Sequence, residues 1–250
     1  MPTGIDHVVI AVADPDAAAA ELTERVGLAF TGGGRHRGRG TFNRLAFLGD
    51  AYLELIGVED AEAAQGWAVG RAAVRSLEGG GGFVTYALAD DAIRGTVARL
   101  QANGSSIGPA IHGSRQGSGE ERVEWWTATP PELGPERPPF LIKHAAWGAE
   151  WGTAAMYERR AFVHPLGSPT KLIGLKLGVR DPVALATSCV AEAGMAFAWF
   201  GATHVATIGR HVVRLAAAGI GSEQPTVWIA ASVDRPRSTT ALGLRFVVRP

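Results

Sequence analysis

From His7 to Gly27 the chain reads HVVIAVADPDAAAAELTERVG: a short apolar strand, an aspartate, a proline, an alanine-rich helix and a glycine. The same cassette returns at Leu172, where LIGLKLGV runs into Asp181, Pro182 and later Gly194. A further copy, GGFVTYALAD at 81–90, leads through Asp91 to Gly104. In each copy 13 positions separate the aspartate from the glycine. That is the spacing of a helix opened by an N-capping carboxylate and stopped by a residue free to turn left-handed. A repeated βα cassette restricts the architecture before any chemistry is considered, because each copy must bury its faces against its siblings.

Working outward from the first copy, strand 7–12 puts His7, Val9 and Ala11 on one face and Val8, Ile10 and Val12 on the other. A glycine-rich basic stretch, 31–40, precedes two strands at 42–48 and 52–56 that meet at Gly49 and Asp50. If the stretch before Gly40 supplies one more strand, the order is βαβββ. One helical run, 60–78, carries Trp67, Val69 and Val74. The second unit follows with a strand at 83–88, a helix at 92–103 capped by Asp91, a loop at 108–121, and strands at 122–127 and 140–144. An aromatic segment, Trp147, Trp151, Tyr157 and Phe162, is expected to wrap over these two units. The third unit has strands at 172–179, 204–208 and 211–216, and 226–233 and 242–248 alternate as the shortened sheet of a fourth copy. The expected class is α+β, with a domain of two paired modules over 1–150 and a degenerate third module with trailing strands over 151–250.

Composition narrows the partners. The 250 residues are 46% hydrophobic and carry 24 basic and 24 acidic side chains, so no field draws the chain to nucleic acid or an anionic membrane. No signal-peptide pattern opens the sequence and no apolar run reaches bilayer length, so the expected location is cytoplasmic. Cys189, the single cysteine, falls on the apolar stripe of the third helix and reads as a buried small hydrophobe. The glycine run at 79–82 precedes a strand instead of following one, and neither a GxSxG elbow nor a CxxC pair occurs. His204 and His211 read as surface or turn residues.

Glu54 stands out, because AYLELIGV at 51–58 is apolar on both sides of it. A desolvated carboxylate costs several kcal/mol unless it is paired, so Glu54 needs a cation, a metal or hydrogen-bond donors. In a curled βαβββ sheet His7 and Glu54 can meet, and imidazole with carboxylate suits zinc, iron, manganese, cobalt or nickel. The alternative for His7 is a hydrogen-bonded structural histidine.

The strings GIDHVVIAVADPDAAAAEL and GGGRHRGRGTFNRLAFLGDAYLELIGV closely resemble the opening module of the vicinal oxygen chelate superfamily, in its glyoxalase-like domain branch. SRQGSGEERVEWW and PPFLIKH resemble the second module of that branch. The resemblance implies a cup-shaped sheet holding a divalent metal that substrates chelate through two adjacent oxygens. It implies His7 and Glu54 as ligands, with His144 or His112 available to complete the set, and Glu54 also as the proton-transfer base. Unit two offers only Phe83 or Val84 and Leu141 or Ile142 at the equivalent positions, and unit three Gly174 and Arg214. Arg35, His36, Asn43, Arg115 and Trp126 are expected to bind substrate, with Glu124 and Trp126 facing the cup and Trp125 facing away. The function implied is a metal-assisted lyase, isomerase or dioxygenase acting on a small oxygenated metabolite, with homodimerisation a possible state. The alternative is a metal-free protein that sequesters a small molecule in the same cup.

Overall fold

A computed structural model describes residues 1–116, 122–145, 159–219 and 224–250. Trp147, Trp151 and Tyr157 of the expected aromatic cluster lie outside the described residues. Phe162 packs edge-on against Phe47 at 6.0 Å between ring centroids.

The first module is β1 (Gly4–Ala11), α1 (Pro15–Arg25), β2 (Thr31–His36), β3 (Thr41–Leu48) and β4 (Ala51–Val58). Asp14 caps α1 by accepting from Asp16 N at 2.9 Å and Ala17 N at 3.1 Å, a contribution of about 1 kcal/mol. Gly27 ends the helical segment in the left-handed region, with φ 84°. The basic stretch before Gly40 does supply a strand, and its glycines are what permit one. At Gly33 a β-carbon would lie 2.3 Å from the Asn43 carbonyl oxygen, so only glycine lets β2 approach β3 so closely.

The expected single helix at 60–78 is two, α2 (Ala61–Gln65) and α3 (Ala68–Glu78), broken at Trp67 by an extended backbone with φ −144°. The second module comprises β5 (Gly82–Ala89), α4 (Ile93–Ala102), β6 (Ile111–Gln116), β7 (Arg122–Ala128) and β8 (Phe140–His144). Two expectations are corrected here. The 108–121 loop contains β6, and the side chain at the start of α4 is that of Asp90, which accepts from Ala92 N at 2.9 Å, in place of Asp91.

The third module is β9 (Lys171–Val179), α5 (Pro182–Ala193), β10 (Ala198–Phe200), β11 (Thr203–Ile208) and β12 (His211–Ala217). After it come β13 (Thr226–Ala230), β14 (Arg237–Ala241) and β15 (Leu244–Arg249). Neither β10 nor β14 is legible in the sequence, since one is three residues long and the other, RSTTA, has no apolar alternation.

The strands form an eight-stranded sheet, β2-β3-β4-β1-β5-β8-β7-β6, and a seven-stranded one, β10-β11-β12-β9-β13-β15-β14. Both are built alike. The first strand of a module pairs in parallel with its own fourth strand and antiparallel with the first strand of the next module. β13, β15 and β14 thus take the places of β5, β8 and β7, and the trailing strands are a fourth module without a helix or a counterpart of β6. The first sheet curls until its edges approach, and Arg115 Nη1 on β6 donates to Gly33 O on β2 at 3.2 Å.

Strands β1 and β4 are buried on both faces, which sets apart two cores. Val8, Ile10, Leu53 and Leu55 point outward and pack with Leu175, Leu215, Val227 and Phe246 of the second sheet. Val9, Ala11 and Ile56 point into the cup with α3, Trp125 and Phe140. Each of the Val, Leu and Ile side chains among them contributes about 1.5–3 kcal/mol by leaving water, so the sheet that forms the cup is held from behind.

Two buried histidines join the halves. His211 Nδ1 accepts from Ile5 N, and His164 Nδ1 accepts from Ala29 N, each at 3.0 Å. His211 is therefore an internal bridge, which corrects the expectation of a surface histidine. Burial, reinforced by Arg210, pushes its pKa down to about 4 against the opposing pull of Asp50 and Asp6. Below pH 6.5 the unfolded chain binds a proton that the folded chain refuses. Stability is accordingly expected to fall as pH drops from about 6.5 to about 4, by up to about 3 kcal/mol for this one group. Urea unfolding across that range should show the loss, and His211→Asn, which keeps an acceptor but cannot titrate there, should flatten the slope.

Candidate active site

His7 and Glu54 reach the same cavity because β1 and β4 run parallel with His7 beside Tyr52 and Val9 beside Glu54, so the odd positions of β1 and the even positions of β4 share a face. The β1–β5 ladder pairs Ile5 with Leu88 and His7 with Ala87, leaving Asp6 as an extra residue in a bulge. By strict alternation Asp6 would face away from His7. The bulge returns its carboxylate to the His7 side, where Oδ1 lies 2.7 Å from His7 Nδ1 and 3.2 Å from His144 Nε2.

A continuous polar chain results. His7 Nδ1–H donates to Asp6, which turns Nε2 toward Glu54 Oε2 at 3.5 Å. The other Glu54 oxygen accepts from Asn43 Nδ2 at 2.6 Å. Asn43 Oδ1 accepts from Gly34 N at 2.9 Å, and this fixes which end of the amide faces the carboxylate. The second Nδ2 hydrogen points at His36 Nε2, 3.3 Å away, and His36 Nδ1 then donates to Thr41 Oγ1 at 2.8 Å. Every polar atom of Asn43 is engaged within the protein, so the residue positions Glu54 and has no group left over for a ligand.

Burial sets the charges of this chain. It would raise the Asp6 carboxyl, yet the charges and hydrogen bonds of His144 and His7 prevail and hold it far below the usual carboxylate range. His36 is pushed down to about 4 by burial, with Glu54 opposing and Arg115 and Arg39 assisting, so it is neutral at pH 7. Burial lowers His144 as well, against the pull of Asp6. Burial, together with Asp6 and Glu54, raises the Tyr52 phenol well above its ordinary value. Tyr52 stacks on the His7 ring at 4.6 Å and Phe140 meets it edge-on at 5.5 Å, so the imidazole plane is clamped. The facing atoms, His7 Nε2 and Glu54 Oε2, are both acceptors unless one carries a proton.

The cavity over this pair has a volume of about 50 Å³, room for roughly three or four waters. Trp67, Val69, Val123 and Trp125 wall it, and His36 and Arg115 stand where it meets a wider outer recess of about 790 Å³. His7, Glu54, His36, Asn43, Arg115 and His144 all line the inner space. Arg35 does not: it is exposed and pairs with Glu59 Oε2 at 2.8 Å in the outer recess. Trp126 and Glu124 face the other way and Trp125 faces in, the reverse of the expected parity. Register explains it, because Trp125 pairs with His144 and Val123 with Arg115, and directly opposed residues share a face. His112, the other candidate third ligand, stays near the surface with Nε2 3.3 Å from Glu124.

Asp6 gives no sequence signal, since only the bulge brings it in. Arg159 is likewise silent in the sequence, although its guanidinium lies 4.5 Å from the Phe47 ring and 5.4 Å from Tyr52.

The glyoxalase-like domain model matches residues 5–192, three quarters of the chain and both modules of the cup. The chain belongs to the glyoxalase-like domain family. A hypothetical protein from Staphylococcus aureus shares the glyoxalase-like fold over 98% of both chains, with a TM-score of 0.81 at 16% identity. A variant of Streptomyces coelicolor methylmalonyl-CoA epimerase, solved with 2-nitronate-propionyl-CoA, covers 58% of this chain and 97% of its own at 20% identity, with a TM-score of 0.42. Methylmalonyl-CoA epimerase from Mycobacterium tuberculosis covers 57% of this chain and 87% of its own, at 20% identity and a TM-score of 0.41. No curated protein sequence matches the chain.

A resident divalent metal in this glyoxalase-like cup needs about three protein donors. His7 Nε2 and Glu54 Oε2, 3.5 Å apart, have the separation of two ligands on one ion with bonds of about 2.1 Å. The expected third donor, His144, has Nε2 turned to Asp6, and Asn43 presents its NH2 instead of its oxygen. Among the described residues no group of three or more His, Cys, Asp or Glu is arranged to hold a metal. The described donors therefore do not fit a catalytic metal, because two converge where three are required.

Asn43→Ala is expected to destabilise the fold by about 3 kcal/mol in urea unfolding, because Gly34 N–H, His36 and Glu54 lose their partner together inside the cup. Arg35→Ala, which removes only an exposed ion pair, should change stability by less than about 1 kcal/mol.

Proposed function

We propose that the cup is a catalytic site for proton transfer at a carbon next to a carbonyl, the step shared by isomerases, epimerases and many lyases. The observation that carries this reading is the buried face-to-face pair: an imidazole oriented by Asp6, and a carboxylate anchored by Asn43, 3.5 Å apart at the floor of a cavity. A carboxylate held by one oxygen keeps the other as a base, and an imidazole whose Nδ1–H is committed presents Nε2 alone to a reacting atom.

In the proposed cycle Glu54 Oε2 takes the proton from the substrate carbon. The released electron pair moves into the carbonyl, and His7, carrying a proton on Nε2, donates it as negative charge gathers on that oxygen. Return of a proton to a carbon and of the oxygen proton to His7 completes an isomerisation or epimerisation. Trp67 and Trp125 exclude water, so the polar chain acts in a low dielectric where each fixed dipole counts for more. The metal-free form of this chemistry is the one that the described donors support.

The test does not require the natural substrate. With a panel of α-hydroxyketones and 2-oxoacids in deuterium oxide, the protein is expected to exchange the hydrogen next to the carbonyl of at least one member, followed by proton NMR. Glu54→Gln should slow that exchange by at least about 100-fold and Asp6→Asn by about tenfold. Binding of panel members without exchange would replace catalysis with sequestration of a small molecule in the same cup.

A further inference from the structure

The inner cavity and the outer recess have unlike chemistry. The inner space, at about 50 Å³, admits only a head of a few non-hydrogen atoms. Anything longer must extend past His36 and Arg115, which line both spaces, into the recess of about 790 Å³. There the charged lining among the described residues is Arg35, Arg37, Arg115 and Arg122 against Glu59 and Asp60. Both carboxylates are engaged: Glu59 with Arg35 at 2.8 Å, and Asp60 as the cap that accepts from Ala63 N at 3.1 Å. Arg37 is exposed and has no hydrogen bond or ion pair among the described residues, and Arg122 is exposed with Nη2 on Ser114 Oγ at 2.8 Å and Nε 3.4 Å from Glu124. The whole chain has no net charge, so this positive rim is a local feature.

We infer that the substrate is a small carbonyl metabolite whose far end carries an oxyanion, a phosphoryl or carboxylate group, held by Arg37 and Arg122 at the mouth of the cup. This rests on the proton-transfer reading for the head and extends it to the tail. Guanidinium forks bind such oxyanions through paired N–H donors, and a rim with an excess of positive charge also draws an anion in at low salt. The separation of roles follows from charge. Glu54 would repel an anionic head, so the negative group has to remain outside while a neutral carbonyl goes in.

Titration calorimetry at about 20 mM salt, where screening is weak, tests the inference with two matched pairs of probes. Dihydroxyacetone phosphate against dihydroxyacetone reports a phosphoryl tail, and levulinate against 2-pentanone reports a carboxylate tail. At least one anionic probe is expected to bind about tenfold or more tightly than its neutral partner. The preference should fall about tenfold in the Arg37→Ala/Arg122→Ala double variant and again at about 300 mM salt, and should be unaffected by Arg249→Ala on the second sheet. No preference in either pair, failure of all four probes to bind, or a preference that survives the double variant overturns the inference. The catalytic reading is judged separately: deuterium exchange into neutral hydroxyketones without any anion preference removes the tail alone, and anion preference without exchange removes the catalysis alone.

Discussion

A carboxylate buried on an otherwise apolar strand is the constraint around which this cup is organised. Glu54 cannot be desolvated without polar partners, and three strands bring them: Asn43 on β3 donates to it at 2.6 Å, and the imidazoles of His7 on β1 and His36 on β2 stand beside it at 3.5 and 3.9 Å. Those partners must in turn be satisfied, which explains the succession outward to Gly34 N–H, Thr41 and Asp6. Buried polar networks cost least when their groups are paired, and among the described residues this chain ends on His7 Nε2 facing Glu54 Oε2 across 3.5 Å.

The repeat places that network in its setting. Two modules meet at β1 and β5 and curl the first sheet into a cup, and two more, the last abbreviated, make the second sheet that covers its back. Residues pointing outward from β1 and β4 sink into the core shared with the second sheet, so the cup wall is braced by apolar burial on one side while it carries charge on the other. Only the first module retains acid and base side chains at the facing positions. The second contributes walls instead, namely Phe140, Ile142 and Trp125, together with His144, whose imidazole serves Asp6.

Much of this was legible because alternation and capping are local. The spacing of Asp14 and Gly27 marks a helix whatever surrounds it, and the parity of β1 and β4 puts His7 and Glu54 on cup-facing sides. Reading failed where a non-local rule decided. Trp125 and Trp126 differ by one residue and so by one face, and only the pairing of Trp125 with His144 tells which is inside. His211 looks like a turn residue until the second sheet closes on Ile5. Arg35 and Arg115 are both arginines near glycines in the sequence, yet one is held in solvent by Glu59 and the other lines the cavity.

The sequence by itself determined the modules, their order, the caps of the first and third helices and the burial of Glu54, because periodicity, caps and the cost of a lone charge act within a few residues. Tertiary structure alone decided that Asp6 joins the site. Alternation turns it away, and only the bulge formed when β1 pairs with β5, 80 residues further along, rotates it back between His7 and His144. It likewise decided that His144 binds Asp6 and leaves the opening at Glu54 to His7. Which donor meets which acceptor depends on distances between strands, and those exist only after the sheet has closed.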